Sequence, residues 1–106
     1  MNRRYVFAGR SGAEYSYLPL TPQERQSRGA GNYVVVRLDG ASAQIIAAGE
    51  TDNLSRTPWD SLLERARALH GATDVLVRLN VRSAIRQEEL EDLLAAHRPP
   101  MSLETA

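Results

Sequence analysis

The side chains best suited to chemistry on a charged ligand are arginines, and all thirteen basic residues of the chain are Arg. A guanidinium is planar, permanently charged and able to grip a phosphate through two parallel N–H groups, which a lysine ammonium cannot do. Arg37, Arg56, Arg65, Arg67, Arg78 and Arg82 are the candidates for contacts of this kind with a nucleic acid. A GC-rich coding bias explains an all-Arg set more simply, and thirteen acidic residues bring the net charge to zero. A strong nonspecific polyanion binder carries a clear basic excess, so any phosphate-binding surface has to be local. Other chemistry is sparse. The chain has no cysteine, which removes disulfides and thiolate metal sites. No Ser/His/Asp set and no glycine-rich phosphate loop emerges. His70 and His97 fall on apolar helical faces, where a packed, hydrogen-bonded histidine is the simpler reading. Glu88, Glu89, Glu91 and Asp92 form an acidic run that reads as the solvated side of a helix.

One small domain has to position these residues, since 106 residues with 42% apolar and 25% charged side chains suffice for a single core. No apolar run is long enough to span a bilayer. Met1-Asn2-Arg3-Arg4-Tyr5 lacks the apolar stretch of a signal peptide, so a cytoplasmic protein without membrane association is expected.

Residues 1–30 read as an extension. Tyr5, Phe7, Tyr15, Tyr17 and Leu18, interleaved with Gly9, Ser11 and Gly12, suggest a hairpin, and the polar stretch from Gln23 to Gly29 suggests an exposed loop. Tyr33–Leu38 is rich in β-branched residues, Asp39-Gly40 is a turn signal, and Gln44–Ala48 can return antiparallel to end at Gly49. Thr57 as cap, Pro58 in the first turn and Asp60 three residues after the cap open a helix. Its buried stripe is Trp59, Leu62, Leu63, Ala66 and His70, and Gly71 stops it. A third strand follows at Asp74–Asn80. A last helix runs from about Ser83 to His97 with Leu90, Leu93, Leu94 and His97 on one face, and Pro99-Pro100 ends it. The expected fold is α+β, with a small three-stranded central sheet, antiparallel or mixed, flanked by helices. The domain proper spans 31–102, residues 103–106 form a tail, and the chain after Pro100 is expected to be mobile.

Several segments of this pattern resemble the GIY-YIG nuclease superfamily, in its small bacterial form. Gly31-Asn32-Tyr33 stands where the first tripeptide of that family would be, and Ala47-Ala48-Gly49 where the second would be. Gly49, Thr51, Asn53 and Leu54 match the family's G-x-T-x-N-L pattern. Glu91-Asp92-Leu93-Leu94, His70-Gly71-Ala72-Thr73 and Arg98-Pro99-Pro100 are similar to the later parts, and all occur in the family's order over residues 31 to about 102. The resemblance implies phosphodiester hydrolysis with one divalent metal. A carboxylate holds Mg²⁺, a tyrosine helps deprotonate water, and an Arg offsets charge on the phosphate.

Residue by residue, most of that machinery is missing. Tyr33 keeps the first tyrosine. The second falls on Ala47, which has no hydroxyl. The helix-borne Arg position falls on Thr57, with Arg56 one place earlier. The metal-binding Glu position falls on Leu90, and an aliphatic side chain cannot coordinate a hard cation. The Asn after the final prolines is Ser102. Ala47 and Leu90 read as extra core, Tyr33 equally as a half-buried strand aromatic, and Asp52 and Asn53 as turn formers.

The leading reading is therefore a degenerate, non-catalytic GIY-YIG-like module without a metal site or cofactor, binding a protein partner or a nucleic acid. The alternative is a divergent Mg²⁺-dependent endonuclease using Tyr33, Arg56 and Glu91, or Glu89 in place of Glu91. A DNA-binding regulator using the six arginines ranks third. Tyr15, Tyr17, Trp59 and Met101 are the scarce large side chains from which an exposed, subunit-pairing patch could be built, giving a homo-oligomer.

Overall fold

Five strands carry the fold of the computed structural model, which describes residues 3–103. They are β1 (Tyr5–Ala8), β2 (Glu14–Pro19), β3 (Gly31–Asp39), β4 (Ser42–Thr51) and β5 (Asp74–Leu79). Helices α1 (Pro22–Arg25), α2 (Trp59–His70) and α3 (Ser83–His97), with a 3-10 turn at Leu54–Arg56, join and cover them. The strands form one antiparallel sheet in the order β1-β2-β5-β3-β4. The class is α+β as expected, but the sheet has five strands rather than three. The N-terminal hairpin is part of it, because Leu18 and Pro19 pair with Val77 and Leu76, and the Leu20 amide continues the ladder to the Val75 carbonyl at 3.0 Å. Pro19 has no N–H to donate, which keeps this pairing short.

Strand alternation in β3 divides the core in two. Tyr33 and Val35 face α2 and pack with Ala47, Leu54, Trp59, Ala66, Val75, Val77 and Met101. Val34 and Val36 face α3 and pack with Phe7, Tyr17, Ile45, Leu76 and Leu93. Between Val35 and Val36 the register with β4 shifts by one residue. This bulge lets neighbouring Ile46 and Ala47 both join the α2-side cluster.

Four expectations change. The stretch read as a loop contains α1, started by a capping box in which Thr21 Oγ1 accepts from the Glu24 amide and Glu24 accepts from the Thr21 amide. Thr57 does not cap α2. Its hydroxyl instead donates toward Thr51 Oγ1 at 3.1 Å, and Pro58 is the residue at the cap. The chain after Pro100 is anchored: Met101 is buried and its amide donates to the Ile46 carbonyl at 3.0 Å. Leu103 packs on the same cluster, while residues 104–106 of the expected tail lie outside the described residues. Tyr17, Trp59 and Met101 are core side chains, so they form no exposed patch. Gly71 does end α2, in the left-handed conformation at φ 70°. No helix among the described residues is long and apolar enough to cross a membrane.

The buried stripe of α3 also differs from the one expected. Leu93 is buried and Leu90 partly so, but Leu94 and His97 are exposed, and the stripe continues toward the N-terminus through Glu89 and Arg86. His97 still reaches the Ala8 carbonyl at 2.8 Å and meets the Phe7 ring edge-on, helping to fasten the hairpin. Asp92 does more of that work. It accepts from the Ser11 amide at 2.8 Å, the Ser11 hydroxyl at 2.7 Å and the Tyr15 hydroxyl at 2.7 Å.

Candidate functional site

Two clefts meet at Tyr33, Thr57 and Pro58. One, about 470 Å³, runs along the start of α2 past Ser61, Leu62 and Arg65 to Ser102 and Leu103. The other, about 590 Å³, lies where the end of β4 and the 3-10 turn approach α3, and is lined by Glu50, Thr51, Asp52, Arg56, Ser83, Arg86 and Gln87. Tyr33 is the common wall. Its ring packs edge-on against Trp59 at 5.1 Å between centroids, and Gly49 stands opposite it on β4. Only a glycine leaves room there, since an added Cβ would lie 2.5 Å from the Tyr33 hydroxyl oxygen. Burial, and after it the charge of Glu50, pushes the Tyr33 phenol above its ordinary pKa. A phenol shifted in that direction is a poor base near neutral pH.

The loop that shapes the clefts is held by short-range polar bonds. Asn53 Oδ1 accepts from the Ser55 amide and hydroxyl, as its turn-forming type suggests. The Trp59 indole N–H donates to the Leu54 carbonyl at 2.9 Å. Opposite this loop, α3 contributes Arg86, whose Nε donates to Glu50 Oε2 at 2.7 Å and whose Nη1 donates to the Asn80 carbonyl at 3.0 Å. Gln87 Nε2 donates to the other Glu50 oxygen at 3.3 Å. Glu50 is therefore tied up within the protein, by a pair whose side chains are 5% and 15% exposed.

A second polar network adjoins the first. Glu89, also buried, accepts from Arg78 Nε and Nη2 at 3.2 Å and from Asn80 at 3.3 Å, and buried Asn32 donates to the Arg86 carbonyl at 3.0 Å. Glu89 and Asp92 thus depart from the solvated acidic face expected of them, while Glu88 and Glu91 keep to it.

Of the residues singled out in the sequence, Tyr33, Arg56, Thr57 and Ser102 converge on these clefts, and Arg65 joins them. Ala47 lies beneath, in the same cluster as Tyr33. Leu90 packs on the α3-side cluster, across the sheet from Tyr33. Glu91 lines a separate groove with Ser11, Tyr15 and Asp92, so Tyr33, Arg56 and Glu91 do not share one cavity. Arg37 is near the end of α2, with its Cδ 3.9 Å from where a Gly71 Cβ would be. Arg67 and Arg82 are exposed and line neither cleft, and Arg78 is engaged with Glu89.

Against models of protein families, curated proteins and solved structures, the chain finds no match. The site therefore has to be read from its own residues. Glu50 and Arg86 are the pair that sequence reasoning overlooked. Arg86 stands four residues before Leu90 and seven before Leu93, so the leucine spacing extended backwards places its charge on the buried face, and that was the available signal.

Proposed function

We propose that this chain is a GIY-YIG-like domain that binds nucleic acid without cleaving it, with the Tyr33 clefts as the phosphate-binding surface. The observation that carries this reading is the sign of the charges there. Across the two clefts Arg56, Arg65 and Arg86 stand against Glu50 and the exposed Asp52, an excess of one positive charge, with Glu50 neutralised by Arg86 and the hydroxyls of Thr57, Ser61, Ser83 and Ser102 around them. The α3 residues that line the cleft are Ser83, Arg86 and Gln87, none of them a carboxylate, where metal-assisted hydrolysis calls for one. Leu90 offers no oxygen, and Tyr33, with its pKa raised by burial, is a weak candidate for a base. Convergence of Tyr33, Thr57 and Ser102 with Ala47 packed below supports the family reading, because these are positions the resemblance groups in one site, whereas Leu90, the metal-binding position in the same resemblance, packs across the sheet and counts against it.

Binding is measured by fluorescence anisotropy of labelled single-stranded DNA and RNA against salt. Two arginines contacting phosphates give a slope of log K against log salt of about −1.4 on single strands. Arg56→Ala and Arg65→Ala each weaken binding and make the slope shallower. In parallel, supercoiled plasmid and single strands with Mg²⁺ or Mn²⁺ stay intact. Metal-dependent cleavage that disappears in Tyr33→Phe would replace this reading with a divergent endonuclease, and a slope of zero with no measurable binding would leave a protein partner as the function.

A further inference from the structure

We infer that the Arg86 end of the cleft is a pocket for a terminal phosphate, so that the ligand is a strand end bearing a phosphate monoester rather than an internal phosphodiester. The inference rests on the reading of this cleft as a phosphate-binding surface. Arg86 lines the cleft, yet its side chain is only 5% exposed. It is fixed from two directions, by Glu50 and by the Asn80 carbonyl, and cannot swing out to meet a backbone passing over the surface. An internal phosphate carries a sugar on each side and needs open ground. A terminal phosphate has one attachment and three free oxygens, so it can enter end-on.

Charge points the same way. A ligand phosphate must compete with the Glu50 carboxylate for Arg86. A diester carries one negative charge, the same as Glu50, and gains little by exchange. A monoester carries about −1.5 to −2 near pH 7 and presents more acceptors, for which the Tyr33 and Ser83 hydroxyls line the same cavity, while Thr57 and Gln87 already donate to Thr51 and Glu50 and the exposed Asp52 is a like charge that the ligand has to outweigh. Arg56, exposed at the rim, is left to meet the next phosphate along the strand. Glu50 then acts as an internal competitor that keeps ligands without a terminal phosphate out of the pocket.

The test compares one single-stranded oligonucleotide in three forms, with a 5′-phosphate, with a 3′-phosphate and with neither, by fluorescence anisotropy at fixed salt and pH 7.5. One of the phosphorylated forms should bind about tenfold tighter than the hydroxyl form, the worth of one charge-assisted exchange. Arg86→Gln should remove the preference, and Glu50→Gln should enlarge it. Should Arg86→Gln fail to fold, judged by its thermal melt, Glu50→Gln together with Gln87→Ala decides the matter. Equal binding of all three forms overturns the terminal-phosphate pocket and leaves the general phosphate-binding reading intact. A preference that Glu50→Gln diminishes overturns the role given to Glu50 and with it the pocket. No binding of any form overturns both readings.

Discussion

Replacing Gly49 by alanine tests how tightly the Tyr33 ring is fixed. The new methyl carbon would stand 2.5 Å from the Tyr33 hydroxyl oxygen, 2.6 Å from Cζ and 3.1 Å from Cε1. The ring cannot retreat freely, because Trp59 packs edge-on against it at 5.1 Å and 84°, and the Trp59 indole is itself bonded to the Leu54 carbonyl. Overpacking of this kind costs about 1–3 kcal/mol. Loss of freedom in the unfolded chain offsets about 0.4–1 kcal/mol of that, so a net loss of about 1–2 kcal/mol is expected. For a domain of this size the Tm falls by roughly 4–8 °C. Differential scanning calorimetry measures it, and near-UV circular dichroism reports the displaced Tyr33–Trp59 pair. In a Tyr33→Leu background the clash is gone, and Gly49→Ala should become neutral or slightly stabilising. An unchanged Tm in the native background, or the same loss in both backgrounds, would refute the close approach as the reason for this glycine.

Tyr17→Phe should raise stability by about 1 kcal/mol, seen in urea melts, because the Tyr17 hydroxyl is buried without a hydrogen-bond partner among the described residues and an unmet buried polar group carries a desolvation penalty. Arg86→Met and Arg78→Met should each destabilise by about 3 kcal/mol, since each strands a carboxylate that is at most 15% exposed, Glu50 in the first case and Glu89 in the second; a loss under about 1 kcal/mol in either would show that its carboxylate is not held by the guanidinium. Hydrogen bonds from Ser11, and then from Tyr15, hold the Asp92 carboxyl below its ordinary pKa. Its contribution is therefore fully present above the usual carboxylate range and is lost as pH falls through the depressed folded value. Wild type and Asp92→Asn should differ in Tm at pH 7 and converge toward pH 2, and a gap that widens on acidification would reverse the sign of this linkage.

Elements whose signals are local were legible in the sequence. The Val34–Val36 run, the Asp39-Gly40 turn and the stop at Gly71 place β3, β4 and α2 because backbone preference and turn chemistry act over a few residues. Even α1 has a local signature in Thr21 followed three residues later by Glu24, although no apolar stripe marks the helix. Convergence of Tyr33, Thr57 and Ser102 has no local signal, as no periodicity relates a strand residue to one that follows the last helix.

Pairings between distant segments needed the folded chain. Nothing near Leu18 specifies that it will lie beside Val77, so the five-stranded sheet could not be read from either segment alone. The acidic run from Glu88 to Asp92 looked uniform in sequence, yet it divides into Glu89 against Arg78, Asp92 against Ser11 and Tyr15, and two solvated glutamates. The sequence by itself determined which residue types were available, thirteen arginines, no lysine and no cysteine. Tertiary structure alone decided which charges are free. A guanidinium's reach depends on the carboxylate beside it, and Glu50 lies 36 residues from Arg86 in the chain but 2.7 Å away in space.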